Sequence, residues 1–484
     1  MAIMARNIMI QGTMSSAGKS YIVTGLCRYY SRLGYKVAPF KSQNMALNSY
    51  ITENGLEMGR AQVVQAEAAG VKPNVCMNPI LLKPTTDVGS QVIVNGVPIG
   101  NMKAKEYFEY KKSLVPTILD AYEKLSRDND IIIIEGAGSP AEINLKSQDI
   151  VNMGLAAMVD SPVVLVGDID PGGVFAQLYG TLELLPQDEK DRIKGLIINK
   201  FRGDVRLLDD GLKRLSDRCN KPILGVVPMS KARIDEEDSI TSAFNTEAVS
   251  GVKIDIAVVR LPRISNFTDF KALSVVDGVS VRYVEQPGQL GSPDMIILPG
   301  TKSTIADLHW LKETGLYDMI KGLSHDTPVF GICGGYQMLG NVIEDPLGIE
   351  GGGIEEGLGL ISMKTVYEKE KIRKLVKDKF SNVKGAFSFL NDIEYVGYEI
   401  HNGVSTYIAD DFCENVFGTY VHGVFDAKKV LDAIIRFLLM RKGMTTDGVN
   451  STSYEEYKYR QYDIIADELS EAIDFEMLNK IIGI

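Results

Sequence analysis

Apolar residues fall into two successive series of short runs, separated by longer stretches with helical spacing. In the first half, Asn7–Ile10, Lys36–Phe40, Ile131–Ile134, Val163–Val166, Leu196–Ile198 and Ile223–Val227 read as strands. Between the first two, Ile22, Val23, Leu26, Cys27, Tyr30 and Leu33 recur at helical spacing before Gly34, which closes the helix. Strands alternating with helices predict a mostly parallel sheet covered by helices and joined by right-handed crossovers. A second series, Ile254–Val259, Met295–Leu298 and Val329–Ile332, predicts a second α/β unit. Between the two series, Lys231–Ser250 is polar, carries Asp235-Glu236-Glu237-Asp238 and lacks an apolar period, so it reads as a linker or a lid. Near the end, Gly443–Ser453 is turn-like. Glu455–Phe475 follows as a packing helix with Ile464, Ile465, Leu469 and Ile473 on one side. The expected division is a first domain over 1–235, a linker over 236–250, a second domain over 251–440 and a helical tail over 441–484. No repeat of fixed period and no low-complexity tract interrupts it.

At 484 residues the chain exceeds one ordinary core, which fits two domains. The balance of 52 Lys+Arg against 63 Asp+Glu leaves a net charge of −11 and argues against nucleic acid as a main partner. The five cysteines lack metal-ligand or disulfide-framework spacing, which fits a reducing compartment. No apolar run approaches membrane-spanning length, and Met1 stands within a few residues of the first strand. A cytoplasmic protein with no membrane partner is expected.

Gly12-Thr13-Met14-Ser15-Ser16-Ala17-Gly18-Lys19-Ser20 lies between the first strand and the first helix. Small residues there let successive backbone N–H groups face phosphate oxygens, with Lys19 reaching the outer phosphates and Ser20 offering a hydroxyl to Mg²⁺. Five residues rather than four separate Gly12 from Gly18, which widens the loop. Gly12, Thr13, Ser15, Gly18, Lys19 and Ser20 are therefore the candidate nucleotide-binding residues.

Other strand ends of the first half carry further candidates. Glu135 ends an apolar strand and is expected to hold Mg²⁺ opposite Ser20. Asn199, in Asn199-Lys200-Phe201-Arg202, is either a purine-edge contact or a plain turn residue. Arg202 stands where a guanine-reading acid would be needed, which favours ATP over GTP. Lys41, in Phe40-Lys41-Ser42-Gln43-Asn44-Met45, ends the second strand and is placed to neutralise a substrate carboxylate or a transferred phosphate. Asp168-Ile169-Asp170-Pro171-Gly172-Gly173 also follows a strand and reads as part of a substrate cleft or a solvated loop.

In the second half, Val329-Phe330-Gly331-Ile332-Cys333-Gly334-Gly335-Tyr336-Gln337 is a Gly-x-Cys-x-Gly elbow. A strand turning sharply into a helix presents the sulfur at a helix start, where the dipole favours thiolate. The base for such a nucleophile must come from four histidines, His309, His325, His401 and His422. His422 ends a strand and precedes Gly423, which favours it, with His401 as the rival. The turn at Gly300, in Pro299-Gly300-Thr301, offers backbone N–H groups that with Gly334 make an oxyanion hole.

The elbow and the His422 segment resemble class I glutamine amidotransferases, and the wide phosphate loop resembles that of dethiobiotin synthetase. Across Lys41-Ser42-Gln43-Asn44-Met45, Glu57-Met58-Gly59-Arg60-Ala61-Gln62, Met77-Asn78-Pro79, Leu82-Lys83-Pro84, Leu261–Phe270 and Gly397–His401, the chain resembles the cobyric acid synthase family of cobalamin biosynthesis. The resemblance implies a doubly wound P-loop domain joined to a glutaminase domain. It further implies ATP, Mg²⁺, glutamine and an adenosylated corrinoid, with Cys333 as nucleophile, His422 as its base, and Lys41, Gln43 and Asn44 near substrate.

The implied reaction is amidation of the b, d, e and g carboxylates of adenosylcobyrinic acid a,c-diamide through an acyl phosphate, with ammonia passing sheltered between the domains. Two departures stand out. Pro171 replaces an expected Arg, and Val424 occupies the place of the usual third acid of the triad, which implies a Cys–His dyad. The alternatives are the a,c-diamide-forming sister enzyme and a nucleotide-dependent scaffold with a non-catalytic amidotransferase-like domain.

Overall fold

The computed structural model describes residues 4–86, 89–234, 251–350, 352–446 and 451–484. The linker expected over 236–250, with the acidic run Asp235–Asp238, lies outside them. The chain forms two compact units, one of Met1–Ala46, Glu57–Asp235 and Lys458–Ile484, the other of Leu47–Leu56 and Glu236–Tyr457.

In the first unit a six-stranded sheet runs in the order Ile223–Pro228, Ile193–Phe201, Val163–Asp168, Arg6–Gly12, Ile131–Glu135, Val37–Phe40, with every neighbouring pair parallel. These are the six strands expected from the sequence. Ile131 to Ile134 are each 0% exposed, and burial on both faces explains why the run is continuously apolar rather than alternating. Arg6–Gly12 lies between Ile131–Glu135 and Val163–Asp168, so the strand order reverses at the end of the first strand. That reversal opens a crevice at the carboxyl ends of the strands, where the phosphate loop begins.

Helix Lys19–Arg32 buries Ile22, Val23, Leu26, Cys27 and Tyr30 against this sheet. Leu33 is the exception, because it is the helix cap and is 57% exposed. Helices Tyr454–Ala472 and Phe475–Ile482, with Ile473 between them, add Tyr462, Ile465, Leu469, Ile473, Leu478 and Ile482 to the same core. Ile464, expected on that packing side, is 40% exposed, so the buried stripe starts from Tyr462 instead.

A four-stranded sheet in this unit, formed by Gln43–Met45, Ile80–Thr86, Gly89–Val94 and Val97–Lys103, adds to the strands expected from the apolar runs. Its register sets Gln43 beside Ile80 and Asn44 beside Leu81, bringing two of the unusual motifs together at the crevice.

The second unit is built on a parallel five-stranded sheet, in the order Val279–Val284, Ile254–Val259, Met295–Leu298, Val329–Ile332, Val416–Thr419. Ile256, Val258, Ile296, Leu298, Phe330 and Ile332 form its fully buried centre. A second sheet, which the sequence reading did not anticipate, contains the long antiparallel pair Ile361–Lys379 and Glu394–Phe412.

Candidate functional site

Each unit gathers one constellation of reactive groups at the ends of its parallel strands. In the first unit, Gly18 caps the loop helix in the left-handed conformation, at φ 95°. A Cβ added there would lie 1.9 Å from Asn199 Nδ2, so only glycine accommodates both the backbone and its neighbour. Asn199 is buried and donates to the Ala17 carbonyl at 3.0 Å, which braces the loop from outside. Lys200 adds a second brace, donating to the Ser16 carbonyl and to Asp168, each at 2.7 Å. Lys19 curls over the loop, with Nζ 3.0 Å from the Met14 carbonyl and 3.2 Å from that of Gly138. Thr13 donates to Gln177 at 3.2 Å, while Ser15 is exposed.

Beside Lys19, the strand register pairs Ile10 with Glu135, two residues before the loop starts. Glu135 is buried and collects several donors. The Ser20 hydroxyl donates to Oε1 at 2.9 Å, Lys41 Nζ reaches the same oxygen at 3.0 Å, and Gln65 Nε2 donates to Oε2. Burial alone would raise the Glu135 pKa, but Lys41 and the Gln65 hydrogen bond hold it below the usual carboxylate range. The carboxylate is therefore charged and neutralised locally, as a net acidic chain requires near an anionic ligand. A serine hydroxyl and a carboxylate this close form an oxygen-only donor set of the kind Mg²⁺ takes. Gln43 accepts from Tyr107 at 2.5 Å, and Asn44 donates to Gln62 at 2.9 Å. Pro171 belongs to a loop in which Gly172 and Gly173 both have positive φ, just before helix Val174–Leu184.

In the second unit, Cys333 sits between strand Val329–Ile332 and the five-residue helix Gly334–Met338, with φ 50° and ψ −105°. A non-glycine residue held there is strained, and such strain persists only where the surroundings force it. They do force it here. A Cβ on Gly335 would lie 2.1 Å from the Leu298 carbonyl oxygen, and one on Gly334 would lie 2.7 Å from Thr301 Cγ2. The backbone of the Gly300-Thr301 turn is thus packed directly against that of Gly334. A Cβ on Gly300 would in turn lie 2.7 Å from His422 Cε1.

The Cys333 sulfur lies beside the His422 ring, near enough to act on its charge. Its other nitrogen, Nδ1, lies 2.7 Å from Asp269 Oδ2, and Asp269 Oδ1 accepts from the Gly423 N–H at 3.0 Å. All three side chains are buried. Desolvation alone would lower the His422 pKa, but Asp269 and the sulfur beside it raise it to about 10. The expectation that His422 lacks an acid partner is corrected: the acid comes from Asp269, far upstream, because Val424 leaves none beside the histidine.

His401 is engaged elsewhere. Its Nδ1 faces the Gly403 carbonyl at 2.7 Å, and its ring stacks on Tyr420 at 3.8 Å. The strand around it still serves the thiol, because Tyr398 exchanges two backbone hydrogen bonds with His422, and the Ile400 carbonyl lies 3.7 Å from Cys333 Sγ. Gln337, one helical turn beyond Cys333, accepts from the Tyr367 hydroxyl at 2.9 Å and from that of Thr304 at 3.3 Å. The sequence reading assigned no role to Asp269, Gln65 or Gln337. Asp269 and Gln337 lay within quoted motifs, and Gln65 carried no signal beyond its place three residues after Gln62.

Two family comparisons divide the chain in the same way. Residues 8–240 match the CobQ/CobB/MinD/ParA nucleotide binding domain, and residues 255–430 match the CobB/CobQ-like glutamine amidotransferase domain. Among curated proteins, the chain is 56% identical to a cobyric acid synthase of Lachnoclostridium phytofermentans, covering 99% of each chain. It is 53% identical to one of Ruminiclostridium cellulolyticum, over 99% of this chain and 97% of that one. It is 49% identical to one of Alkaliphilus metalliredigens, over 98% and 99%. The chain belongs to the cobyric acid synthase family of glutamine-hydrolysing, ATP-dependent amide ligases.

Proposed function

We propose that this chain converts the b, d, e and g side-chain carboxylates of adenosylcobyrinic acid a,c-diamide to amides, using ATP and glutamine. The observation that carries this reading is the buried Cys333–His422–Asp269 arrangement, in a chain so similar over its whole length to named cobyric acid synthases.

In the glutaminase half, the Cys333 sulfur attacks the glutamine side-chain amide and His422 gives a proton to the departing ammonia. Asp269 fixes the orientation of the His422 ring by accepting from Nδ1 and stabilises its positive charge beside the sulfur. The N–H groups of the Gly300 turn and Gly334 take the charge that develops on the amide oxygen. Water then releases glutamate.

In the synthetase half, the loop from Gly12 to Ser20 holds the ATP phosphates, and Lys19 and Lys41 offset charge on the transferred phosphoryl group. Ser20 and Glu135 would hold Mg²⁺, which when bound supplies further positive charge there. A corrinoid carboxylate attacks the γ-phosphate to give an acyl phosphate, and ammonia displaces phosphate from it. Gln43 and Asn44 are assigned to substrate binding, Asn199 to the nucleotide side, and residues 1–235 and 251–440 to the two catalytic domains.

A cytoplasmic location fits the corrinoid and ATP substrates, and no helix among the described residues is long and apolar enough to cross a membrane. Mass spectrometry of the product tests the assignment. The a,c-diamide-forming sister activity would instead yield two new amides from cobyrinic acid and none from the diamide.

A further inference from the structure

Helix Arg60–Ala69 in the first unit is buried on almost every side, including two glutamines at 0% exposure, Gln62 and Gln65. Each is half satisfied. Gln62 Oε1 accepts from Asn44 Nδ2 at 2.9 Å, but its Nε2 is buried and has no hydrogen-bond partner among the described residues. Gln65 Nε2 donates to Glu135 Oε2, but its Oε1 is buried and has none among the described residues.

The orientation of Gln65 is fixed by chemistry, because only the NH₂ end of an amide can face a carboxylate. Three residues apart on a helix, the two side chains share one face. That face is the one meeting Asn44 and Glu135, at the crevice that receives the phosphate loop. An unmet buried amide atom is costly, and a fold has no reason to keep two side by side unless something supplies their partners.

We propose that Gln62 and Gln65 form the cradle for the substrate group that becomes a primary carboxamide. The unmet donor of Gln62 takes the acyl carbonyl oxygen, and the unmet acceptor of Gln65 takes an N–H of the incoming ammonia. This deepens the amidation reading and rests on it. The ammonia nitrogen uses its lone pair to form the C–N bond as the acyl C–O bond breaks. Phosphate leaves with that electron pair, and the surplus proton of nitrogen ends on it as hydrogenphosphate. Gln65 is itself held by Glu135, so the cradle is tied to the residue facing Ser20 and Lys41.

The test replaces glutamine by ammonium chloride, so that the glutaminase plays no part, and uses the nearly isosteric variants Gln62→Met and Gln65→Met. Each is expected to lower kcat/KM for the corrinoid diamide and for ammonia by about 10- to 100-fold. ATP affinity by titration and glutaminase turnover should stay within threefold. Variants that melt higher than the parent and keep both kcat/KM values within twofold would overturn the cradle, since the glutamines would then be unmet polar atoms that the fold tolerates. Parent protein that never amidates with ammonium would instead overturn the parent reading.

Should a variant fail to fold, the parent chain decides. A crystal structure with the corrinoid diamide and a non-hydrolysable ATP analogue must put the acyl terminus within hydrogen-bond distance of Gln62 Nε2. An acyl terminus bound away from this helix overturns the proposal.

Discussion

His422 Nδ1 lies 2.7 Å from Asp269 Oδ2, although 153 residues separate them in sequence. The two side chains are 1% and 2% exposed, so the contact is dry. A buried ring with a carboxylate on one nitrogen is held in one orientation, and its positive charge is stabilised. Asp269→Asn should therefore lower glutaminase kcat by about 10²- to 10⁴-fold. Amidation driven by ammonium chloride should be unchanged, and equal losses in both assays would assign Asp269 to folding instead.

The same contact sets a pH dependence. His422 is raised to about 10, so its proton is retained through neutrality and lost as pH rises through that value. Its contribution to stability is complete below the ordinary imidazole pKa of about 6.5 and fades toward pH 10. Asp269→Asn should destabilise the protein most at acid and neutral pH, and it should move the alkaline fall of glutaminase activity to lower pH. Denaturant melts and pH–rate profiles on the two proteins check both.

Cys333→Ser should abolish glutamine-dependent amidation while leaving ammonia-dependent amidation near the parent rate. Glutamate release measured directly separates the two, and unchanged release in the variant would remove Cys333 from the mechanism.

Gly335→Ala places a methyl group 2.1 Å from the Leu298 carbonyl oxygen, a contact that backbone must move to relieve. A cost of about 2–3 kcal/mol or more is expected, read from the denaturation midpoint. Gly322→Ala is the control, since its Cβ would meet nothing within 4 Å and it lies in helix Leu316–Leu323. It should be neutral or stabilise by up to about 1 kcal/mol.

Lys41→Met removes the cation that lies 3.0 Å from buried Glu135, and breaking such a pair costs about 3–5 kcal/mol. Glu135→Leu alone takes the carboxylate away from Lys41. The double variant should lose less than the sum of the two, and simple additivity in a thermal melt would show that the pair is not coupled.

The parallel strands were legible because each is a short apolar run buried on both faces, Ile131 to Ile134 being the clearest case. The hairpin of Ile361–Lys379 with Glu394–Phe412 was not. Its outer half reads Glu-Lys-Glu-Lys-Ile-Arg-Lys, largely solvent-facing, so cross-strand pairing rather than a buried face defines it. The elbow was legible because its glycines are demanded locally. Asp269 was not, since only tertiary folding brings it to His422, and the habit of seeking an acid just after the histidine pointed to Val424. Gln65 was hidden for the same reason, its carboxylate partner lying 70 residues away.

On this assignment one chain frees ammonia at Cys333 and uses ATP to fix it on a corrinoid acid. Purified protein incubated with ATP, Mg²⁺, glutamine and adenosylcobyrinic acid a,c-diamide, followed by mass spectrometry, tests it most directly. Four carboxylates should be converted to amides, with ADP and glutamate formed alongside. An unmodified corrinoid in the presence of all the substrates would contradict it.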